Sequence, residues 1–101
     1  MARYKMDDGT IVDTDNATKS WAEERDWNES NHIGRSSRSQ WHDQTLYRSR
    51  KGRYYIEYHS REQGIMDSAE WISNRAAAMW LLENEFELPD NLKELEAKIV
   101  E

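Results

Sequence analysis

Alternating apolar and polar positions at the start of the chain predict a β-hairpin. Residues 4–6 and 10–12 flank an Asp-Gly pair at positions 8 and 9, which is a strong signal for a two-residue turn. This turn would place Met6 beside Ile11, with Tyr4 on the same face as Met6.

After this hairpin the apolar spacing changes to a helical one. N-cap candidates stand at positions 13 to 15, and Ala17 and Trp21 follow four residues apart. Asp and Thr before such a spacing are typical of a helix start. The pattern predicts a short helix that ends near Asp26 or Trp27.

A polar segment then spans residues 28–40, with the sequence NESNHIGRSSRSQ. It is rich in Ser, Asn and Arg and has Gly34 near its middle, which predicts a long loop. Its length is near the limit for structureless connections in compact domains. Arg35 and Arg38 give the loop positive charge.

Residues 45–60, TLYRSRKGRYYIEYHS, predict an antiparallel hairpin with a tight turn at Lys51-Gly52. Taking Arg50 opposite Arg53 sorts the side chains onto two faces, as expected for a half-buried ribbon. The predicted core face carries Trp41, Thr45, Tyr47, Ser49, Tyr54, Ile56 and Tyr58. The predicted outer, basic face carries His42, Leu46, Arg48, Arg50, Arg53, Tyr55, Glu57 and His59.

The remaining segments predict a third strand and two helices. The sequence AEWIS, residues 69–73, reads as a short strand, and Ser73 would cap a helix over residues 74–86. Pro89 suits the first turn of a last helix, with Leu92, Leu95 and Ile99 facing inward.

These elements predict a single α+β domain over residues 1–101. Its antiparallel sheet would contain the N-terminal hairpin, the central hairpin and the third strand. One helix would follow the first hairpin, and two C-terminal helices would pack on one face of the sheet.

Composition agrees with a small folded domain. Of 101 residues, 37% are apolar and 34% charged, but five Trp and five Tyr supply large buried areas. The absence of cysteine excludes disulfides and thiolate metal sites. No apolar run is long enough to span a bilayer, and residues 1–10 lack a signal-peptide core. We therefore expect a cytoplasmic protein without membrane partners.

The net charge of −6 is unevenly distributed. Residues 1–30 carry a net charge of −4, residues 31–61 a net charge of +5 and residues 62–101 a net charge of −7. This asymmetry favours an interaction face of one sign. Two acidic ends that partly neutralise a basic hairpin would produce the same pattern.

Histidines near the central hairpin raise the question of catalysis. In the predicted register, His42, His59 and Glu57 share the outer face, as a ribonuclease would need for acid–base chemistry. Arg48 and Arg53 would stabilise the phosphorane and Tyr55 would position the base. Exposed histidines are more often only solvated, so no catalytic residue is predicted.

Cofactor and metal sites have no support in the sequence. No glycine-rich phosphate loop or nucleophile elbow is present, and the histidines lack the spacing of metal ligands. We predict neither a cofactor nor a metal.

Direct nucleic-acid binding is possible through the basic ribbon but is less favoured. Arginines and one outward tyrosine would contact phosphates and stack a base. The overall negative charge opposes binding to a polyanion.

A protein partner fits the composition better, because Trp, Tyr and Arg are the residues that anchor interfaces. Trp21, Trp71 and Trp80 are predicted core residues, whereas Trp27 and Trp41 are candidate anchors. The acidic C-terminal residues would instead compete for a basic DNA-binding groove. The candidate binding residues are Arg35, Arg38, Trp41, Arg48, Arg50, Arg53, Tyr55, Glu83, Glu85, Glu87 and Asp90.

The run LYRSRKGRYYIEYHS, followed by SAEWIS and AAAMWLLENEFELP, resembles a recurrent pattern in small bacterial and mobile-element proteins. The pattern covers residues 46–89 and implies a fold, with no catalytic residues. The size, acidity and aromatic content are also similar to those of phage-encoded inhibitors of host defence, including anti-CRISPR proteins. That likeness implies a chain that occupies a surface on a nuclease or CRISPR effector complex.

The leading prediction is therefore a non-enzymatic protein-binding domain, such as a mobile-element inhibitor of a host nucleic-acid-processing complex. The first alternative is an RNA-binding protein or ribonuclease toxin that uses the basic hairpin face. The second is an antitoxin-like partner that stabilises another chain.

Overall fold

A computed structural model describes residues 2–27 and 29–100. Met1 and Glu101, the ends of the predicted domain, lie outside the described residues, as does Asn28, where the predicted loop begins. The strands are β1 (Arg3–Lys5), β2 (Ile11–Asp13), β3 (Lys19–Ala22), β4 (Arg25–Trp27), β5 (His32–Gly34), β6 (His42–Arg48), β7 (Tyr54–Ser60) and β8 (Ser68–Ile72). The helices are α1 (Asn74–Glu83) and α2 (Lys93–Ile99), and short 3₁₀ turns span Thr14–Asn16 and Asp90–Leu92.

The central element is a four-stranded antiparallel sheet in the order β3-β6-β7-β8. Both helices lie on one face of this sheet, and the N-terminal β1–β2 hairpin lies on the other. The predicted α+β class, the antiparallel pairing and the third strand are therefore confirmed. The N-terminal hairpin was predicted to belong to the same sheet, but it forms a separate two-stranded sheet, as does the β4–β5 hairpin.

Both predicted hairpins form, but each is closed by a three-residue loop instead of the predicted two-residue turn. Ser49 N–H donates to the Arg53 carbonyl at 2.7 Å, and Gly52 adopts φ +86°. In the N-terminal hairpin, Met6 N–H donates to the Thr10 carbonyl at 2.7 Å, so Met6 pairs with Thr10 and not with Ile11. A three-residue loop with glycine in the left-handed region is the next most common solution after the two-residue turns.

This change shifts the β7 partner of every β6 residue by one position. The side chains of β6 therefore lie on the opposite face of the sheet from the predicted one. Tyr47 lies opposite Tyr55 instead of Ile56, and Leu46 lies opposite Ile56. Leu46 is fully buried against the helices, so its predicted place on an outer, solvated face is wrong. The error has a local cause, because one extra loop residue moves every side chain of β6 to the other face of the sheet.

The predicted helix after the first hairpin is also wrong. Only a 3₁₀ turn forms at Thr14–Asn16, and the chain then continues into β3 and β4. β3 pairs with β6 along its length and packs Trp21 against Tyr54, with ring centroids 6.4 Å apart. A short isolated helix is marginal in water, so pairing with a long neighbouring strand outweighs the local helical pattern.

The polar segment was predicted to be a loop, but its residues 32–34 form β5 and pair with β4. Glu23 holds the turn that follows β5. Its buried carboxylate accepts hydrogen bonds from the backbone N–H groups of Ser36 at 3.1 Å and Ser37 at 2.8 Å. A Cβ atom added at Gly34 would lie 2.2 Å from Glu23 Oε1, so the close approach of this carboxylate requires glycine.

The helix face contains the main core, in which Leu46, Tyr54 and Ile56 pack against both helices. Ser73 caps α1 by accepting a hydrogen bond from Ala76 N–H at 3.0 Å, as predicted. The helix ends earlier than the predicted residue 86. Phe86 N–H donates to the Leu81 carbonyl at 2.9 Å and Glu85 N–H to the Leu82 carbonyl at 3.1 Å, which is a Schellman motif.

The C-terminal segment follows the prediction more closely. α2 begins after the 3₁₀ turn at Asp90–Leu92, with Pro89 just before that turn. Leu92 is buried, and Leu95 and Ile99 pack against the same core, so the predicted inward side of the last helix is confirmed.

The opposite face of the sheet contains a second, smaller core. Met6, Val12 and Tyr55 are buried there, and Tyr47 and Trp71 pack around them. The N-terminal hairpin therefore covers a face that the sequence pattern left open to solvent.

No helix within residues 2–27 and 29–100 combines the length and the apolar character needed to cross a membrane.

Candidate functional site

The residues proposed for ribonuclease chemistry do not meet at one site. The pairing along β6 and β7 places His42 and Arg48 on the helix side, whereas Glu57 and His59 face the N-terminal hairpin. Arg53 precedes His59 by six residues on the same extended segment, a distance of about 20 Å at 3.3 Å per residue. The sheet therefore separates Arg48 from Glu57 and His59, and the length of the strand separates Arg53 from His59.

Glu57 and His59 are nevertheless joined in a hydrogen-bonded network. The Glu57 carboxylate is only 2% exposed and accepts from the Tyr4 hydroxyl at 2.5 Å and the Tyr47 hydroxyl at 3.2 Å. His59 Nε2 lies 2.5 Å from Glu57 Oε1, and its Nδ1 lies 2.9 Å from an Asp67 oxygen. This arrangement satisfies a buried charge with three polar side chains.

The network favours a protonated imidazole at His59, because both ring nitrogens face carboxylate oxygens. Burial acts to lower the pKa of His59, but the hydrogen bond to Asp67 and the charge of Glu57 outweigh it and raise the pKa. Burial, followed by the hydrogen bond and charge of Glu57, raises the pKa of Tyr4. Burial and the Glu57 charge raise the pKa of Tyr47 to about 12.

These shifts describe a structural cluster more than an acid–base pair. A general base must reach the proton that it removes, and the Glu57 oxygens are already occupied by internal donors. The cluster joins β1 to β6 and β7, and it pairs the buried Glu57 carboxylate with the partly exposed His59 imidazole.

The arginines of the polar segment pair with the acidic end of α1. The Arg35 guanidinium contacts a Glu85 oxygen at 2.7 Å and an Asp26 oxygen at 2.8 Å. Arg38 lies 3.5 Å from a Glu83 oxygen. Hydrogen bonding to Arg35 lowers the pKa of Asp26. The two oppositely charged candidate surfaces therefore neutralise each other in part.

The other candidate acids lie beside a groove on the helix side. Glu87 and Asp90 line it together with Lys19 and Arg48, and Asp90 lies 3.3 Å from the Lys93 ammonium. Arg48 Nε is buried without a hydrogen-bond partner among the described residues. The lining of this groove includes both acidic and basic side chains, so the groove has no single sign of charge.

Arg53 is also engaged within the chain. Its guanidinium lies 3.8 Å from the centre of the Trp71 ring and 3.2 Å from an Asp8 carboxylate oxygen. The predicted stacking residue, Tyr55, is only 1% exposed and belongs to the second core. Its predicted outward position is wrong, because the N-terminal hairpin covers this face.

The tryptophans divide between core and surface as predicted, except that Trp41 does not lie on the core face where the hairpin register placed it. Trp80 is buried, and Trp21 and Trp71 pack against the two cores. Trp27 is 60% exposed and Trp41 is 51% exposed. Exposed apolar side chains that form a contiguous patch mark interaction sites, whereas single ones are normal on a protein surface.

The two exposed tryptophans lie near one end of the central sheet. Trp41 immediately precedes β6, and its carbonyl accepts a hydrogen bond from Arg61 N–H at 2.8 Å. Arg25 fastens the β4–β5 hairpin to this end through the His42 carbonyl at 3.3 Å, and Trp27 ends β4. The loop after Arg61 adds the exposed side chains of Ile65 and Met66. We call Trp27, Trp41, Ile65 and Met66 the tryptophan surface.

Several residues that build this region were missed at the sequence level. Arg25 bonds to Asp43 and to the Ser39 carbonyl, the latter at 2.8 Å. Asn84 is buried and accepts from Glu24 N–H at 2.8 Å. Neither residue belongs to a motif, so only the folded chain identifies them.

No cluster of three or more potential metal ligands occurs in residues 2–27 and 29–100. Comparison with known proteins adds no relative: no family model, curated protein or solved structure matches this chain.

Proposed function

We propose that this chain is a non-enzymatic protein-binding domain that uses the tryptophan surface as its anchor. The observation that carries the proposal is the exposure of Trp27 and Trp41, at 60% and 51%. Tryptophan is among the residues most enriched at binding hot spots, because it buries a large area with little loss of side-chain entropy.

The surroundings of the tryptophans support a defined surface. Arg25, Glu23 and Ser37 hold the adjacent turn through hydrogen bonds to backbone groups. A surface held in place before binding loses less conformational entropy on association. Ile65 and Met66, at 49% and 88% exposure, add further exposed apolar side chains in the loop after Arg61.

The proposed partner is a host nucleic-acid-processing complex, such as a nuclease or a CRISPR effector. Two features support this class of partner. The chain carries a net charge of −6, which speeds encounter with a basic DNA-binding groove. The residues 46–89 also resemble a pattern found in mobile-element proteins.

The direct test is an interference assay with purified CRISPR effector complexes, in which DNA cleavage is measured with and without this protein. We expect inhibition by the wild type and its loss in Trp27→Ala and Trp41→Ala. Met79→Ala is the matched control, because Met79 is 50% exposed but lies on α1. Inhibition that survives both tryptophan changes would contradict the assignment of the surface.

A second incubation distinguishes the ribonuclease alternative. The purified protein is mixed with RNA, and we expect no cleavage. RNA cleavage that disappears in His59→Ala would overturn the non-enzymatic proposal, and a salt-sensitive gel shift would favour RNA binding.

A further inference from the structure

A groove of about 380 Å³ lies between the N-terminal hairpin and the loop that joins β6 to β7. It is separate from the tryptophan surface, because none of that surface's four residues lines it. Its volume falls within the range of roughly 300–1,000 Å³ seen for small-molecule pockets. The apolar lining comes from Ile11, Val12, Tyr55 and Trp71.

The Tyr55 hydroxyl is the first feature of the groove that indicates a ligand. Tyr55 is only 1% exposed, and its hydroxyl has no hydrogen-bond partner among the described residues. Buried hydroxyl groups are nearly always paired, so an unpaired one needs an explanation. The ring cannot easily turn away, because it stacks on Tyr47 at 5.2 Å and meets Trp71 edge-on at 5.5 Å.

The hydroxyl is also a competent donor. Burial, with the nearby Tyr47 and the charge of Glu57, raises the pKa of Tyr55 to about 12. It therefore keeps its proton at neutral pH and can donate a hydrogen bond to an acceptor on a ligand.

The rim of the groove carries unpaired positive charge. Arg50 and Lys51 line it, and neither forms an ion pair with a carboxylate in residues 2–27 and 29–100. Asp13, the acidic residue of the lining, is paired with Arg3 at 3.1 Å. The lining thus offers an anion two free cations.

We propose that this groove binds an aromatic carboxylate that carries a polar acceptor at the end of its ring. The carboxylate lies beside Arg50 and Lys51 at the rim. The ring packs against Ile11 and Trp71. The acceptor reaches the Tyr55 hydroxyl on the floor.

The test is a cycle of two ligands and two proteins, measured by calorimetry on the full chain. The probe is 3-(4-hydroxyphenyl)propionate, and 3-phenylpropionate lacks only its phenol oxygen. In the wild type we expect the hydroxylated acid to bind about 3-fold to 10-fold more tightly, as one neutral hydrogen bond provides. In Tyr55→Phe this preference disappears, while 3-phenylpropionate binds as before.

The carboxylate is tested separately. Arg50→Ala combined with Lys51→Ala should weaken both acids about 10-fold or more, because two charge-assisted contacts are lost. Arg75→Ala combined with Lys98→Ala removes the same charge from outside the groove and should leave both affinities unchanged. The amide of the probe should bind far more weakly than the acid.

A peptide that ends in tyrosine presents the same phenol and carboxylate. Tighter binding of this peptide than of the free acid assigns the ligand to a chain terminus, and the reverse assigns it to a free metabolite. The proposal is overturned by any of three results: no binding of the acid at millimolar concentration, equal binding of the amide, or a preference that persists in Tyr55→Phe. Thermal unfolding confirms that each variant is folded.

Discussion

The Tyr4 hydroxyl donates a 2.5 Å hydrogen bond to Glu57, although 53 residues separate the two in the sequence. This contact joins the N-terminal hairpin to β7 of the central sheet. It also satisfies a carboxylate that is almost completely removed from solvent. The hairpin is therefore part of the structural unit that holds Glu57. Substitutions at Tyr4 should lower the stability of the whole domain.

Tyr4→Phe should lower the free energy of unfolding by about 1–3 kcal/mol, because a buried charged acceptor loses a donor. Tyr55→Phe is the matched control, since its hydroxyl has no partner among the described residues. That change should leave stability unchanged or slightly higher. Urea denaturation measures both, and equal losses in the two variants would contradict the importance of the Tyr4 contact.

Stability should fall as the pH rises above about 6.5, the unfolded pKa of histidine, and His59 should account for the change. The pKa of His59 is raised in the folded chain, chiefly through Asp67 and Glu57 acting against burial. Its stabilisation is fully present below the unfolded pKa of about 6.5. It is lost as the pH rises through the folded value. Because the side chain is 39% exposed, solvent screening keeps the effect below about 1 kcal/mol.

Thermal unfolding of the wild type and of His59→Gln between pH 6 and pH 9 tests this dependence. The wild type should lose a few degrees in Tm over this range, and the variant should show a flatter profile. Identical profiles would mean that His59 does not carry the dependence.

Gly34→Ala should be strongly destabilising, by roughly 2–4 kcal/mol, since it forces the buried Glu23 carboxylate away from its donors. The added methyl group would meet Glu23 Oε1 at 2.2 Å and Ser37 Oγ at 2.5 Å. Gly64→Ala is a useful comparison, because a Cβ there meets nothing within 4 Å. Its positive φ alone should cost about 1 kcal/mol. Denaturant unfolding should rank the two variants in this order.

Trp27→Ala and Trp41→Ala should each change stability by less than about 1 kcal/mol, because most of each side chain already contacts solvent. Trp80→Ala should cost about 3–5 kcal/mol, since Trp80 is 6% exposed within the main core. Calorimetric unfolding compares them. A large loss at Trp27 or Trp41 would indicate a structural role and weaken their assignment as anchors.

Local sequence signals determined the elements whose stabilising contacts are themselves local. Ser73 caps α1 through a residue three positions away, and the inward positions of α2 follow from helical spacing. Gly9 and Gly52 were located correctly in turns because positive φ favours glycine. Trp80 was placed in the core correctly because its neighbours are apolar, and Trp27 was named as a candidate anchor because a polar segment follows it.

Tertiary structure decided the features that depend on distant partners. Trp21 follows Ala17 at a helical spacing, yet β6 supplies the hydrogen bonds that make residues 19–22 a strand. One additional loop residue in the turn that contains Gly52 set the β6–β7 register, and it placed Tyr47 instead of Leu46 on the face of Tyr55 and Glu57. Both residues then became buried because a hairpin far away in sequence covers that face. The local sequence pattern determines secondary-structure propensity and the alternation of side chains along a strand. Which face of the sheet becomes buried depends on the surfaces that the folded chain brings together.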